Sequence, residues 1–389
     1  IPSTFSLQYK DDELYMRLRR KTYQTLQDSS NSVAVPYDFE PQFNLNYRKR
    51  WGNWVFNTQA ESVHFTHPNT TNYARGWRHI LYPSISYEWR QPGMFLIPKV
   101  GIHATQYNLN YVPTKNGIAY DKNASRALPI VSVDSGLIME RRTKWFGKDV
   151  IQTLEPRLYY AYIPYRNQTQ IWNFDSALAD LDFSRIYTEN LFTGSDRIAQ
   201  ANQITTGVTS RILSQMTGEE LIQGSIAQRY YFDEQSVTLP NASLSNTTRK
   251  SDVLAAMSGR VAKDLWAQAF VQYNMDNDRF LRSDAGIRWQ PGFRKVLNVG
   301  YHENRILSEP SRTIYASTQF PVSYLSNNLY AVGRINYNLK SKKVNNLYAG
   351  FEYAKDCWIF RLVAQREQIG NNKANNSIYF QLELKLQVL

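Results

Sequence analysis

In segment after segment of this chain the apolar residues fall on every second position, the mark of a strand with two unlike faces. The clearest case is SIYFQLELKLQVL. There Ile378, Phe380, Leu382, Leu384, Leu386 and Val388 share one face, and Ser377, Tyr379, Gln381, Glu383, Lys385 and Gln387 share the other. In PYDFEPQFNLNYRKR, Phe39, Pro41, Phe43, Leu45 and Tyr47 alternate with Asp38, Glu40, Gln42, Asn44, Asn46 and Arg48. In LYAVGRINYNL, Tyr330, Arg334, Asn336 and Asn338 oppose Leu329, Ala331, Ile335, Tyr337 and Leu339. The same reading along the chain gives about 18 or 19 strands, many of them 9 to 14 residues long. Soluble strands average about 5–6 residues, whereas a tilted strand crossing a bilayer needs roughly 9–11.

Helical periodicity is nearly absent, so nothing is left to cover a second sheet face, and the polar face must meet water. A soluble sandwich hides its apolar faces inside; a membrane barrel turns them out to lipid. Tyr and Trp gather near strand ends, at Trp51 and Trp54, Tyr87 and Trp89, Tyr159, Tyr160 and Tyr162, and Tyr230 and Tyr231. That placement suits girdles at two membrane interfaces, the alternative being ordinary sandwich core. Open sheets rarely exceed about 10 strands. The expected fold is therefore all-β, a large transmembrane antiparallel β-barrel over residues 1–389.

Most connections look short, such as 48–53, 274–279 and 289–295, while 112–128, 163–201 and 233–251 are long. The 163–201 connection lacks clean alternation and mixes apolar residues with Asp175, Asp180, Asp182 and Asp196. Loops of that length carry function or disorder. This one is expected to fold inward against the lumen wall or a partner.

Composition narrows the function. Aromatic residues make up 14% of the 389, which excludes a disordered chain. No apolar run approaches the roughly 20 residues of a spanning helix. The single Cys, Cys357, can neither staple the chain internally nor build a Cys-rich zinc site. His64 and His67 sit at the end of a strand pattern without a third ligand. No nucleophile elbow, phosphate-binding loop or dinucleotide fingerprint is present, so no enzyme, metal or cofactor is expected. The net charge of +12 comes from 45 Lys and Arg against 33 Asp and Glu, spread over strands and turns rather than gathered in the stripe that nucleic acid requires. Inward-facing Arg17, Arg19, Arg48, Arg157, Arg211 and Arg229 would attract polyanions such as phosphorylated glycolipid head groups. The alternative is that each pairs with a nearby carboxylate.

At LEPRLYYAYIPYRNQ (154–168) and TGSDRIAQANQITTGVTSRI (193–212) the sequence resembles the lipopolysaccharide-assembly barrel family LptD of Gram-negative outer membranes. PQFNLNY (41–47), WRHILYP (77–83) and RALPIVSVDSGLIMER (126–141) extend the likeness in the same order. The resemblance implies a barrel of roughly two dozen strands that carries lipopolysaccharide into the outer leaflet. It also implies a plug lipoprotein, LptE, inside the barrel, and a periplasmic Lpt bridge protein that docks through an N-terminal jelly-roll. Against that pattern the chain reads as lacking the jelly-roll, the opening strands and the C-terminal tail. The candidate lumen and loop residues are Glu155, Arg157, Gln168, Asp196, Arg197, Asn202, Gln203 and Arg211. Where the family has two adjacent cysteines, this sequence reads Asp356-Cys357. By resemblance, Cys357 would pair with a Cys of the periplasmic domain. The rival to translocation is a porin or substrate-specific diffusion channel.

Overall fold

A computed structural model describes residues 2–24, 34–240, 248–306, 310–326, 328–355, 357–368 and 374–384. No helix occurs among them. The strands are β1 (Pro2–Lys10), β2 (Leu14–Tyr23), β3 (Asp38–Trp51), β4 (Trp54–Thr66), β5 (Arg75–Tyr87), β6 (Trp89–Gln91) and β7 (Met94–Tyr111). Next come β8 (Asn123–Leu137), β9 (Met139–Trp145), β10 (Lys148–Ile163), β11 (Ala201–Ser214), β12 (Glu220–Tyr231), β13 (Val253–Ala262) and β14 (Leu265–Asn274). The series ends with β15 (Arg279–Gly292), β16 (Lys295–Asn304), β17 (Ser311–Pro321), β18 (Leu329–Asn338), β19 (Lys343–Lys355), β20 (Trp358–Gln368) and β21 (Ala374–Leu384).

The 21 strands among the described residues belong to one sheet, in which the described pairings are antiparallel. Both β5 and β6 pair with β7, and both β8 and β9 pair with β10. Each couple is one strand interrupted by a single residue, Glu88 or Ile138. Counting them so leaves 21 − 2 = 19 traverses, matching the 18 or 19 expected. Several tight turns are closed by non-glycine residues in the left-handed region, among them Asp264, Asp278 and Arg294.

The chain forms two compact units. The first comprises 1–138, 156–207 and 228–251, and the second 139–155, 208–227 and 252–389. In the first, β7 shows how the faces are used. Met94, Leu96, Val100 and Ile102 project into the open, the last two about half exposed, while His103, Thr105, Tyr107 and Leu109 on the other face are buried. β8 repeats the pattern, with Arg126, Leu128, Ile130 and Ser132 covered and Val131 exposed between them. A period of 2 with apolar residues on the open face is that of a strand meeting lipid.

Three expectations are adjusted. The alternation in β3 slips between Phe39 and Gln42, where the register with β4 shifts. A β-bulge of this kind flips the residues before it to the other face. Phe39 consequently packs edge-on against buried Phe65 instead of sharing the face of exposed Phe43. The 112–128 connection is shorter than expected because β8 begins at Asn123. Arg126 is buried on the covered face of β8. Among the expected girdle residues, Tyr159 and Tyr231 are buried rather than at an interface, while Trp51, Trp54 and Tyr162 are exposed. At the C-terminal strand Phe380, Leu382 and Leu384 are exposed, and Glu383 on the opposite face meets Arg361. Lys385, Leu386, Gln387 and Val388 lie outside the described residues.

Candidate functional site

The longest described connection, 164–200 between β10 and β11, lies on the covered face of the first unit. Its apolar residues join three of that unit's core clusters. Ile171, Trp172 and Phe174 join Tyr37, Val63, Phe65, Tyr107 and Leu109. Phe174 stacks on Phe65 at 4.1 Å, and Trp172 Nε1 donates to Tyr37 Oη at 2.8 Å. Farther along, Ile198 packs with Leu128, Ile130, Tyr159 and Ala161.

At the centre of this contact is Asp196, whose side chain is fully buried. Its Oδ1 accepts from Arg78 Nη1 and from Tyr107 Oη, both at 2.8 Å. Its Oδ2 accepts from the amides of Phe174 at 2.7 Å and Asp175 at 2.9 Å. Both carboxylate oxygens thus hold two donors each, the condition under which a buried carboxylate is tolerated. Arg78, on β5, also reaches Glu61 at 2.7 Å and both oxygens of Asp175 at 2.8 and 2.7 Å, with its guanidinium over the Phe65 ring. Arg126, from β8, donates to Gln168 Oε1, to the carbonyls of Asp196 at 2.9 Å and Ser195 at 2.7 Å, and to Thr105 Oγ1. Gly194, at a φ of 68°, makes room for this arrangement, because a Cβ there would lie 2.5 Å from Asp175 Oδ1.

The two loop carboxylates titrate apart. Burial opposes the charge on Asp196, but Arg78 and the donated amides hold its pKa below the ordinary carboxylate value. Asp175 is pushed up to about 6, by burial first and by the Asp196 charge second, against the pull of Arg78. Its side chain remains 31% exposed, so water screens part of that rise.

Two more arginines fasten the loop through carbonyls. Arg197 donates to Ile171 O at 2.8 Å, to Asp196 O at 3.2 Å and to Thr238 O at 3.3 Å. Arg229, buried on β12, donates to the carbonyls of Arg185, Ile186 and Thr188 and to Thr205 Oγ1. Glu189 of the loop meets Lys99, Tyr82 and Ser132 at 2.8–3.0 Å.

A family model for LptD, described as LPS transport system D, matches residues 1–325. The chain belongs to the LptD family. An LPS-assembly protein LptD from Ralstonia nicotianae is 39% identical over 373 residues, covering 94% of this chain and 46% of the relative. One from Burkholderia pseudomallei is 39% identical over 362 residues, covering 92% and 45%. This LptD-family chain spans about half the length of those relatives. Among solved structures, the siderophore receptor PirA from Pseudomonas aeruginosa aligns with 98% of this chain and 68% of its own, at a TM-score of 0.45 and 11% identity. The family and the open apolar strand faces place the chain in the Gram-negative outer membrane, with a fold of the β-barrel class.

Of the residues that the sequence nominated, Gln168, Asp196 and Arg197 meet in the buried network. Asn202 and Gln203 adjoin the loop: Asn202 bonds Tyr160 and Asp233, and Gln203 donates to Thr188 O. Arg157 pairs with Asp134 through two bonds at 2.9 and 2.7 Å and lies over Tyr187. Glu155 pairs with Arg211 in the second unit, with Glu220 also on Arg211 at 3.1 Å. The six arginines named for a lumen field are largely engaged. Arg17 and Arg19 bond Asn44 and Gln42, Arg48 lies 3.7 Å from Glu88, and Arg229 is spent on the loop. His67 stacks on Tyr73 and contacts Val35 O, while His64 contacts Glu40 O. Cys357 is an exposed, free thiol in the turn after β19. Arg78, Arg126, Tyr107 and Glu61 were not nominated. The sequence shows only a charged or phenolic side chain on the polar face of a strand; what sets these four apart from other such residues is their place opposite the loop.

Proposed function

We propose that this chain is the barrel wall of a lipopolysaccharide translocon, moving lipopolysaccharide from the periplasm into the outer leaflet without covalent chemistry. Its family membership supplies the substrate class. The observation that carries the rest is the 164–200 loop, bolted to the polar face through fully buried Asp196 and Arg78. A free diffusion channel has no use for so large a burial of charge, which is costly unless geometry and bonding are complete. The loop then narrows the lumen and presents a shaped surface to the plug lipoprotein LptE, while the periplasmic bridge protein delivers lipopolysaccharide from below. Cys357, on a turn, is free to bond a Cys of the periplasmic domain that the resemblance implies.

The test replaces the native gene with the full-length protein and follows labelled lipopolysaccharide to the cell surface. Loss of surface arrival on depletion, and recovery on re-expression, is expected. Conductance of the purified barrel with and without its lipoprotein separates this reading from a porin. Large open conductance in the presence of the lipoprotein would favour the porin. For the thiol, Cys357→Ser should abolish a mobility shift on non-reducing electrophoresis of the full-length protein. Unchanged mobility would remove Cys357 from any latch.

A further inference from the structure

On the open apolar face of the second unit, the surface changes chemistry towards one end of β9, β10 and β11. Met139 pairs with Leu154, both nearly half exposed, and Val208 of β11 is exposed as well. Two residues nearer the turn, Arg141 Nε donates to Gln152 Oε1 at 2.8 Å and Gln152 Nε2 to Ser210 Oγ at 3.4 Å, so three strands share one polar row. At the turn itself Trp145 pairs with Lys148, and both are exposed. Leu154 and Lys148 are roughly 20 Å apart along the strand, or about 14 Å in depth at a tilt of about 45°. That distance carries the face from hydrocarbon into the head-group layer.

The hairpin tip adds apolar surface. Phe146 is 90% exposed, lies edge-on to Trp145 at 5.2 Å, and has a φ of 46°, a backbone conformation that a bulky residue rarely adopts. Met216, 93% exposed, tips the adjacent hairpin, whose Gln215 amide donates to Asp149 O at 3.3 Å. Neighbouring tips thus hold large apolar side chains in the open, where turn chemistry alone favours Asn, Asp or Gly.

Charge supplies the ligand class. Residues 139–149 hold Arg141, Arg142, Lys144 and Lys148 against Glu140 and Asp149. Both carboxylates fall on the opposite face, because the register sets Asp149 against Lys144 and Glu140 against Thr153, out of step with Arg141 and Lys148. Among the described residues Arg141 and Lys148 form no ion pair, whereas Arg211 and Arg260 of the same unit are held by glutamates. Exposed cations beside apolar tips, continuous with a face that meets lipid, are the combination that binds an anionic membrane surface. The 145–148 turn is at the end of β10 opposite the long 164–200 connection, and short turns face the periplasm in outer-membrane barrels. We propose that this outward-facing strand end is a site for an anionic phospholipid of the periplasmic leaflet, with Arg141 and Lys148 on its phosphate and Phe146 and Met216 in the interface. The site lies outside the lumen and depends on the membrane orientation of the strands, not on the transport reading.

The experiment places full-length protein in nanodiscs of phosphatidylcholine doped with phosphatidylglycerol, either lipid carrying a photoactivatable acyl chain, and maps the cross-linked peptides. Heat-modifiable mobility confirms that each variant is folded. In the wild type, phosphatidylglycerol should label residues 139–154 about fivefold or more above phosphatidylcholine. R141Q/K148Q should bring that labelling down to the phosphatidylcholine level while labelling around Met257 and Ile287 stays unchanged. The double variant F146G/M216S should lower the labelling of 139–154 by both lipids. Equal labelling of this hairpin by the two lipids in the wild type, or preference for phosphatidylglycerol that survives R141Q/K148Q, overturns the site. Stronger labelling of the hairpin by photoactivatable lipid A than by phosphatidylglycerol would assign it to a glycolipid, and the proposal fails. It fails equally if a photoreactive phenylalanine at position 146 cross-links in cells to a protein and not to lipid.

Discussion

The two units use the same strand pattern to opposite ends. In the first, the face turned from the apolar side is filled: loop 164–200 brings Ile171, Trp172, Phe174 and Ile198 onto it, and four arginines, Arg78, Arg126, Arg197 and Arg229, are buried there. In the second, the equivalent face stays open, bordering a cavity, and its charges are mostly paired in clusters around buried Glu303 and Glu352, whose arginine partners stay partly exposed. A filled face fixes one structure, whereas an open polar face leaves room for something to pass or bind. The difference lies in what the connections bring back to the sheet rather than in the strands.

The sharpest way to break the comparison is Asp196→Ala, which strands buried Arg78, Tyr107 and two loop amides. Leaving a buried charge without its partner costs about 3–5 kcal/mol. Barrel assembly, followed by heat-modifiable mobility, should fail or become temperature-sensitive, and deletion of residues 175–190 should have a comparable effect. Normal assembly of both variants would mean that the loop is not structural.

Next in size are neighbouring substitutions in the second unit. Met257 lies on the open apolar face and Ser258 on the cavity side. Met257→Arg should cost about 2–4 kcal/mol if that face meets lipid, and Ser258→Arg much less. Urea-unfolding midpoints in bilayers measure both, and equal penalties would show that the faces have been misassigned.

A smaller effect follows from Asp175. Its pKa of about 6 lies above the unfolded value, so at pH 4 to 6 the folded state holds a proton that the unfolded state has lost. The contribution of Asp175 to stability is therefore fullest below pH 4, declines as pH rises towards 6 and is flat beyond. Asp196, shifted the other way, loses stabilisation only as pH falls below its ordinary range. Asp175→Asn should flatten the slope between pH 4 and 6 in thermal midpoints. A slope that persists in this variant assigns the titration elsewhere.

Strand number, strand length and the assignment of faces were legible in the sequence, because a period of 2 depends only on local geometry and on which solvent each face meets. The exposed Phe380 and Leu382, with Glu383 on the opposite face, follow directly from it, whereas the pairing of Glu383 with Arg361 depends on register. The long loop and three of its network members, Gln168, Asp196 and Arg197, could be named from composition and resemblance. Their partners could not. Arg78 lies 118 residues from Asp196 along the chain, and the separation from Arg126 to Ser195 is 69. No local pattern links residues so far apart. Phe39 shows the same limit at short range, since one bulge reversed its face. Likewise, the row of Trp266, Arg288, Asn298, Ser317 and Arg334 across β14 to β18 exists only through four strand registers. Register depends on how each turn and bulge sets one strand against the next, and only the assembled sheet decides that.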